Sequence, residues 1–138
     1  MHILKILTEK RLIGNKGERI AARMLRRHGY KIIDKNFVAE GHEIEIVAKN
    51  RDFLVFAEVK TRTVGAESSM EQGPASAVNE EKRRSIIRAA KCFPTYLYPD
   101  KKIRFDIIEV YLTEEGKPKD TVHMEGAFVA PGRKSQRR

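Results

Sequence analysis

Two runs of strand-like residues, Glu43-Ile44-Glu45-Ile46-Val47-Ala48 and Phe53-Leu54-Val55-Phe56-Ala57-Glu58-Val59-Lys60, stand only four residues apart. So short a connection leaves little but a hairpin, and the Ile, Val and Phe content places that hairpin in the core of a sheet. Three carboxylates and a lysine interrupt the apolar pattern. Strand side chains alternate faces, so Glu43, Glu45 and Val47 share one side of the first run, and Leu54, Phe56, Glu58 and Lys60 share one side of the second. With the turn over Lys49-Asn50-Arg51-Asp52, Ala48 is expected opposite Phe53, Glu45 opposite Phe56 and Glu43 opposite Glu58. Glu45 is then the diagonal neighbour of Glu58, about 7–8 Å away and within shared reach of one metal ion. A slip of one residue would send the two sets to opposite faces.

Carboxylates buried among Ile, Val and Phe are costly unless a cation, a proton or water compensates them. A divalent ion compensates best. Hard ions such as Mg²⁺ take oxygen ligands, are held by one or two carboxylates, and fill their remaining positions with water and substrate phosphate oxygens. Lys60, two residues after Glu58, lies beside the same place, where an ammonium can orient or help deprotonate a water or stabilise charge on a scissile phosphate. Glu45, Glu58 and Lys60 together make a set suited to phosphodiester hydrolysis. For an isolated Glu-x-Lys the competing reading is a solvated sheet face carrying an ordinary ion pair.

An acidic residue, a spacer of about a dozen residues and Glu-x-Lys on the next strand resemble the PD-(D/E)xK, or restriction-endonuclease-like, nuclease superfamily. The stretch from Gly14 to Asp106 is similar in more detail to the YraN-like family of bacterial proteins. The matching residues are Gly14 and Gly17-Glu18 opening a helix, Gly29-Tyr30 ending it, Asn36, the run 43–48, Glu58-Val59-Lys60-Thr61-Arg62, Pro74, Ala77-Val78, Lys82 and Arg104-Phe105-Asp106. The resemblance implies an α/β fold of the restriction-endonuclease-like kind, a mixed central sheet flanked by helices. It also implies Mg²⁺ or Mn²⁺ as cofactor, Glu45 and Glu58 as metal ligands with the Val59 carbonyl as a further oxygen, and Lys60 as the water-activating lysine. In small junction-cutting nucleases of the superfamily a first-helix glutamate joins the site, and Glu18 occupies the corresponding place. Its alternative role is stabilisation of the helix dipole. The family usually carries Gly immediately before the first strand glutamate and Asp at the metal position. Here His42 and Glu45 stand there.

At 138 residues the chain has room for one domain with a real core, expected over 1–130. Residues 131–138 hold four basic side chains and no apolar anchor, which predicts a disordered basic tail. A net charge of +9 points to an anionic partner, nucleic acid ahead of a membrane and DNA ahead of RNA. No run reaches the ~18 apolar residues of a membrane span, and the first seven residues are too short and interrupted for a signal-peptide core, so a cytoplasmic location is expected. Cys92 is alone, which excludes an internal disulfide, and the four His residues show no zinc-ligand spacing.

From Leu7 to His28 the pattern is helical, with Ile13, Gly17, Ile20, Ala21, Met24 and Leu25 on one arc and Gly29 as the stop. Lys16, Arg19, Arg23, Arg26 and Arg27 form the opposite, basic arc. Tyr30–Ile33 reads as a first strand, and Thr61–Ser76, with two Gly, one Pro and three Ser, as a long loop beside the site. Asn79 is the expected N-cap of a second helix on which Ile86, Ala90, Phe93 and Leu97 recur at helical spacing, with Lys82, Arg83, Arg84, Arg88 and Lys91 on its basic side. Ile103–Leu112 reads as a buried strand in which Asp106 pairs with Arg104, and Thr121–Val129 as an edge strand. Lys16, Arg19, Arg23, Arg62, Lys82 and Arg83 are the expected phosphate contacts.

Two functions follow from these residues. The first is a metal-dependent DNA endonuclease, with branched or flapped DNA suggested by the junction-cutting relatives. The alternative is a noncatalytic nucleic-acid-binding or adaptor module that keeps the fold. A homodimer stays open, since one chain does not fix oligomeric state.

Overall fold

Helix α1 spans His2–Arg27 in a computed structural model that describes residues 2–65 and 78–131. It stops where the pattern says it should. Gly29 adopts φ +91°, and the Tyr30 and Gly29 amides return to the carbonyls of Leu25 and Arg26, which satisfies the last turn. Strands β1 (Lys31–Ala39) and β2 (His42–Lys49) are joined by Glu40-Gly41, both at positive φ, the geometry of a tight two-residue hairpin. Strand β3 (Phe53–Thr63) follows, then helix α2 (Glu80–Ala90), a short 3-10 turn (Thr95–Leu97), β4 (Lys102–Leu112) and β5 (Pro118–Phe128). Asn79 caps α2, its side chain accepting from the Lys82 amide at 2.8 Å.

The strands lie in the order β1-β2-β3-β4-β5. All neighbours are antiparallel except β3 and β4, which run parallel because α2 carries the chain back across the sheet. Helix α1 buries Ala21, Ala22 and Leu25 on one face, against Ile46, Ala48, Val55, Ala57, Val59, Ile108 and Val110. Helix α2 and Phe93 cover the other face, against Ile44, Val47, Leu54, Phe56, Phe105 and Ile107. The result is a mixed α/β sandwich with a core on each side of one sheet, β3 and β4 being apolar on both faces. No helix of the described residues is long and apolar enough to cross a membrane.

The structure corrects several expectations. The β2–β3 register is Ala48–Val55, Val47–Phe56 and Ile46–Ala57, two residues from the one expected. The cause is Asn50. Its side chain accepts from the amides of Asp52 (3.0 Å) and Phe53 (2.8 Å), and its own amide reaches the Phe53 carbonyl, so Arg51-Asp52 alone forms the loop. A shift of two preserves the faces. Strand β1 runs on to Ala39 and β3 to Thr63, beyond the expected ends. Leu97 lies in the 3-10 turn and is 61% exposed, because α2 ends at Ala90 and only Phe93 continues its apolar face. Of the expected loop, 66–76 lies outside the described residues, as does the expected tail from 132 onward.

Candidate active site

The β2–β3 ladder stops at Ile46–Ala57. Asn50–Phe53 is a hydrogen-bonded pair and such pairs alternate, so the next beyond Ile46–Ala57 would be Ile44–Val59. Instead the Val59 amide donates to Glu45 Oε1 at 2.8 Å. The carboxyl takes the place of a backbone carbonyl, and β2 turns away from β3. Ile44 and Ile46, two apart and so expected on one face, consequently pack in opposite cores. The opening this creates is where the acidic residues gather.

Glu58, next to Val59 on β3, faces the α2 side and is 2% exposed. Lys82 of α2 reaches its Oε2 at 3.0 Å. Its Oε1 has no hydrogen-bond partner among the described residues, and neither does His42 Nε2, which stands 3.7 Å from it. Glu45 lies alongside. Burial, the neighbouring Glu58 charge and, less strongly, Glu18 and a side-chain hydrogen bond to Glu58 push the Glu45 carboxyl up to about 9, the Val59 amide opposing them. Glu45 is thereby held toward its neutral form although Lys82 stands 3.0 Å from Glu58.

Glu18 reaches the same opening from α1. Gly17 makes this possible. A Cβ at residue 17 would stand 1.8 Å from Thr61 Oγ1, so only glycine lets α1 lie against β3 here. The Glu18 carboxyl is raised above its ordinary value by burial, with Glu43 and Glu58 adding to the rise and a hydrogen bond from Asn36 and the charge of Lys35 opposing it. Asn36 Nδ2 donates to Glu18 Oε1 at 3.2 Å from a left-handed position on β1, φ +59°, which Asn tolerates better than most residues. Lys60 is half-buried on β3, on the face of Glu58, and pairs in register with Glu109 of β4. Among the described residues no group of three or more His, Cys, Asp or Glu side chains is arranged to enclose a metal ion. An ion here would rest on two carboxylates and complete its shell with backbone, water or phosphate oxygens.

The expected phosphate contacts divide. Arg19 and Arg23 are exposed on α1, and Arg23 also lines a shallow cleft of about 320 Å³ with Arg27, His28 and Lys119, between α1 and the start of β5. Lys16 lies beside Gly116 in the β4–β5 turn. Arg62 is only 10% exposed, because its Nε bonds Glu109 Oε2 at 3.0 Å; Glu109 is wholly buried and also accepts from Tyr111. Arg62 therefore neutralises a buried acid within the sheet. Lys82 is occupied by Glu58, and Arg83 by the Val78 carbonyl and the Phe128 ring.

Sequence reading passed over His42 as a member of this group. Its signal was the position alone, first in β2 and three residues before Glu45. Asp106 does pair with Arg104, at 2.8 Å, and the pair belongs to a larger structural cluster. Burial raises the Asp106 carboxyl, but hydrogen bonds from His123, Arg104 and the Gly126 amide outweigh it and hold the group below its ordinary value. These contacts tie β5 to β4.

The uncharacterised protein family UPF0102 matches residues 17–110, the span from Gly17 at the helix–sheet contact through Glu45, Glu58 and Lys60 to the end of the buried part of β4. The chain belongs to the UPF0102 family. A UPF0102 protein of Chlorobium phaeobacteroides is 39% identical over 129 residues, covering 89% of this chain and 98% of that protein. One of Caldanaerobacter subterraneus is 39% identical over 122 residues, 86% and 96% of the two chains. A third, of Geobacter metallireducens, is 39% identical over 120 residues, covering 84% and 91%.

Proposed function

We propose that this UPF0102 chain is a divalent-metal-dependent DNA endonuclease of the PD-(D/E)xK kind, with a restriction-endonuclease-like sheet, acting in the cytoplasm. The observation that carries the reading is half-buried Glu45 beside buried Glu58 where β2 leaves β3, with Lys60 two residues on from Glu58 along its face. Two observations bear on the fit of a divalent ion. Burial and the neighbouring Glu58 charge drive Glu45 toward its neutral form, and Lys82 meets one of the two Glu58 oxygens. Glu45, Glu58 and the Val59 carbonyl would hold Mg²⁺ or Mn²⁺, which supplies Lewis-acid activation of phosphate and water. Lys60 would hold the attacking water or meet the charge that grows on the phosphate. Glu18 is an auxiliary acid, fixed by Asn36. Arg19, Arg23 and Lys16 supply phosphate contacts that position duplex DNA without reading its sequence, and Lys82 joins them once released from Glu58. Branched or flapped DNA is the substrate class suggested by similarity to junction-cutting nucleases.

One observation favours a noncatalytic nucleic-acid-binding module instead. Lys82 already neutralises Glu58 at 3.0 Å, so the site has an internal counter-ion. Cleavage of labelled linear, flapped, single-stranded and four-way-junction DNA in Mn²⁺ separates the two, with Glu58→Ala as control. The nuclease reading expects cutting by the native chain, lost in the variant with DNA binding kept. Binding by both with cutting by neither would leave the adaptor.

A further inference from the structure

We propose that the cleft between α1 and the start of β5 is a second nucleic-acid site, one that takes an unpaired nucleotide of a single-stranded segment. The inference rests on the nucleic-acid reading proposed above and deepens it, naming the part of a flapped or branched molecule held there, and it does not depend on cleavage. The cleft encloses about 320 Å³ on the α1 side of the sheet. Thr121 on its β5 wall pairs with Val110 of β4, which pairs with Thr61 of β3, so two strand spacings, about 10 Å, part it from the strand that carries Glu58. Ile20 and Met24, half-buried and packed on the core below, give it an apolar base. Arg23 and Arg27 of α1 and Lys119 of β5 are exposed around them.

The charge here is unanswered. Among the described residues none of these three cations is in an ion pair, although Arg62, Lys82 and Arg104 each are. The one carboxylate among the described lining residues, Asp120, accepts the Thr121 amide at 2.8 Å. Arg23 and Arg27 stand one helical turn apart, where like charges repel. Complementing the α1 dipole accounts for Arg27 in the last turn, but not for Lys119, which a different element brings to the same place. Guanidinium groups grip phosphate oxygens in pairs and also lie flat on exposed base rings. Met24 and Ile20 beneath them offer such a ring an apolar seat, polarisable at the thioether. Phosphate contacts alone would serve a duplex, but the bases of a duplex are stacked away from the protein. Only an unpaired nucleotide brings ring and phosphate to this apolar base together. The volume suits one such unit, at the low end of the roughly 300–1,000 Å³ of small-ligand sites.

The test uses the full chain, with short oligothymidylate, a blunt duplex of matched length and thymidine monophosphate as probes. With the methionine methyls ¹³C-labelled, the Met24 resonance, identified by its loss in Met24→Leu, is expected to shift as oligothymidylate is added. Met124, packed on the opposite face of the sheet, should stay in place. Fluorescence anisotropy of the double variant Arg27→Ala with Lys119→Ala should show weaker single-strand binding, its slope of log affinity on log salt flattened by roughly 0.7 for each phosphate lost, and a smaller loss on duplex. Both substituted side chains are exposed, and the Met24 shift of the native chain is read independently of them. A Met24 resonance unmoved by bound oligothymidylate, or equal losses on strand and duplex, overturns the cleft site and leaves the nucleic-acid reading standing. Saturation by thymidine monophosphate at concentrations where oligothymidylate does not bind makes the ligand a free nucleotide and overturns the single-strand assignment. Absence of binding to any nucleic acid overturns both readings.

Discussion

Glu45 carries the sharpest consequence at the scale of single residues. Its carboxyl reaches the Val59 amide across the parted ladder. With its folded pKa pushed to about 9, it stays protonated while the unfolded chain loses its proton near the ordinary glutamate value. The unfolded state then binds fewer protons, so this group's contribution to stability is whole at acid pH and is lost as pH rises toward 9. Glu45→Gln removes the titration and keeps an oxygen for Val59. We expect the metal-free variant to exceed the native chain by about 1–2 kcal/mol near pH 8 and by little near pH 4.5, as measured by urea unfolding across pH. Mn²⁺ should reverse the order, stabilising the native chain and leaving the variant unmoved. That Glu45 and Glu58 are neighbours was readable from one fact, carboxylates in an apolar hairpin. Their protonation was not, because desolvation depends on what α1 and α2 place around them.

At the scale of elements, the contact between α1 and β3 governs the site. One boundary of each helix was legible, the end of α1 and the start of α2, since Gly29 and Asn79 act on their own backbone neighbours. Gly17 was legible only as part of the apolar arc of the helix. That it is the point of closest approach to Thr61 needed the packed structure. Gly17→Ala would drive a methyl into the Thr61 side chain and lift α1, carrying Glu18 away from Asn36. Its expected cost is about 1–3 kcal/mol, the usual range for overpacking, measured by denaturant midpoint. Thr61→Ala added to it should restore part of the loss, because the closest clash is with Oγ1 at 1.8 Å while Cβ at 2.9 Å remains. Equal and additive losses in the double variant would remove this account of the glycine. The turn at Asn50 makes the same point about register. Alternation fixed the faces of β2 and β3, but one side chain bonding two amides moved the pairing by two residues.

For the molecule as a whole, the charge of +9 is spread over two helices on opposite faces of the sheet. The basic arcs were visible in the sequence at helical period. Which members stay available was not. Arg62 is tied to buried Glu109, and Lys82 and Arg83 are engaged at home. If exposed α1 residues hold the phosphates, Arg19→Ala with Arg23→Ala will flatten the dependence of log affinity for duplex DNA on log salt by roughly 0.9 for each phosphate no longer neutralised. Arg62→Ala should instead leave that slope alone and lower thermal stability, since it strands a buried carboxylate. Fluorescence anisotropy over a salt series, paired with thermal melts, reads both.

What the sequence determined by itself is local and periodic: the α/β class, the hairpin, the stop of α1 and the start of α2, and the set of acids that do not belong in a core. These follow from backbone geometry and from side chains acting within a few residues. The tertiary structure alone decided which charges meet. Glu58 finds Lys82 twenty-four positions on, Glu109 finds Arg62 across a parallel pair, and Glu45 replaces a rung of the ladder. The reason is physical. A buried charge must be answered by whatever group the fold brings within reach, and that choice is made by packing and desolvation in three dimensions.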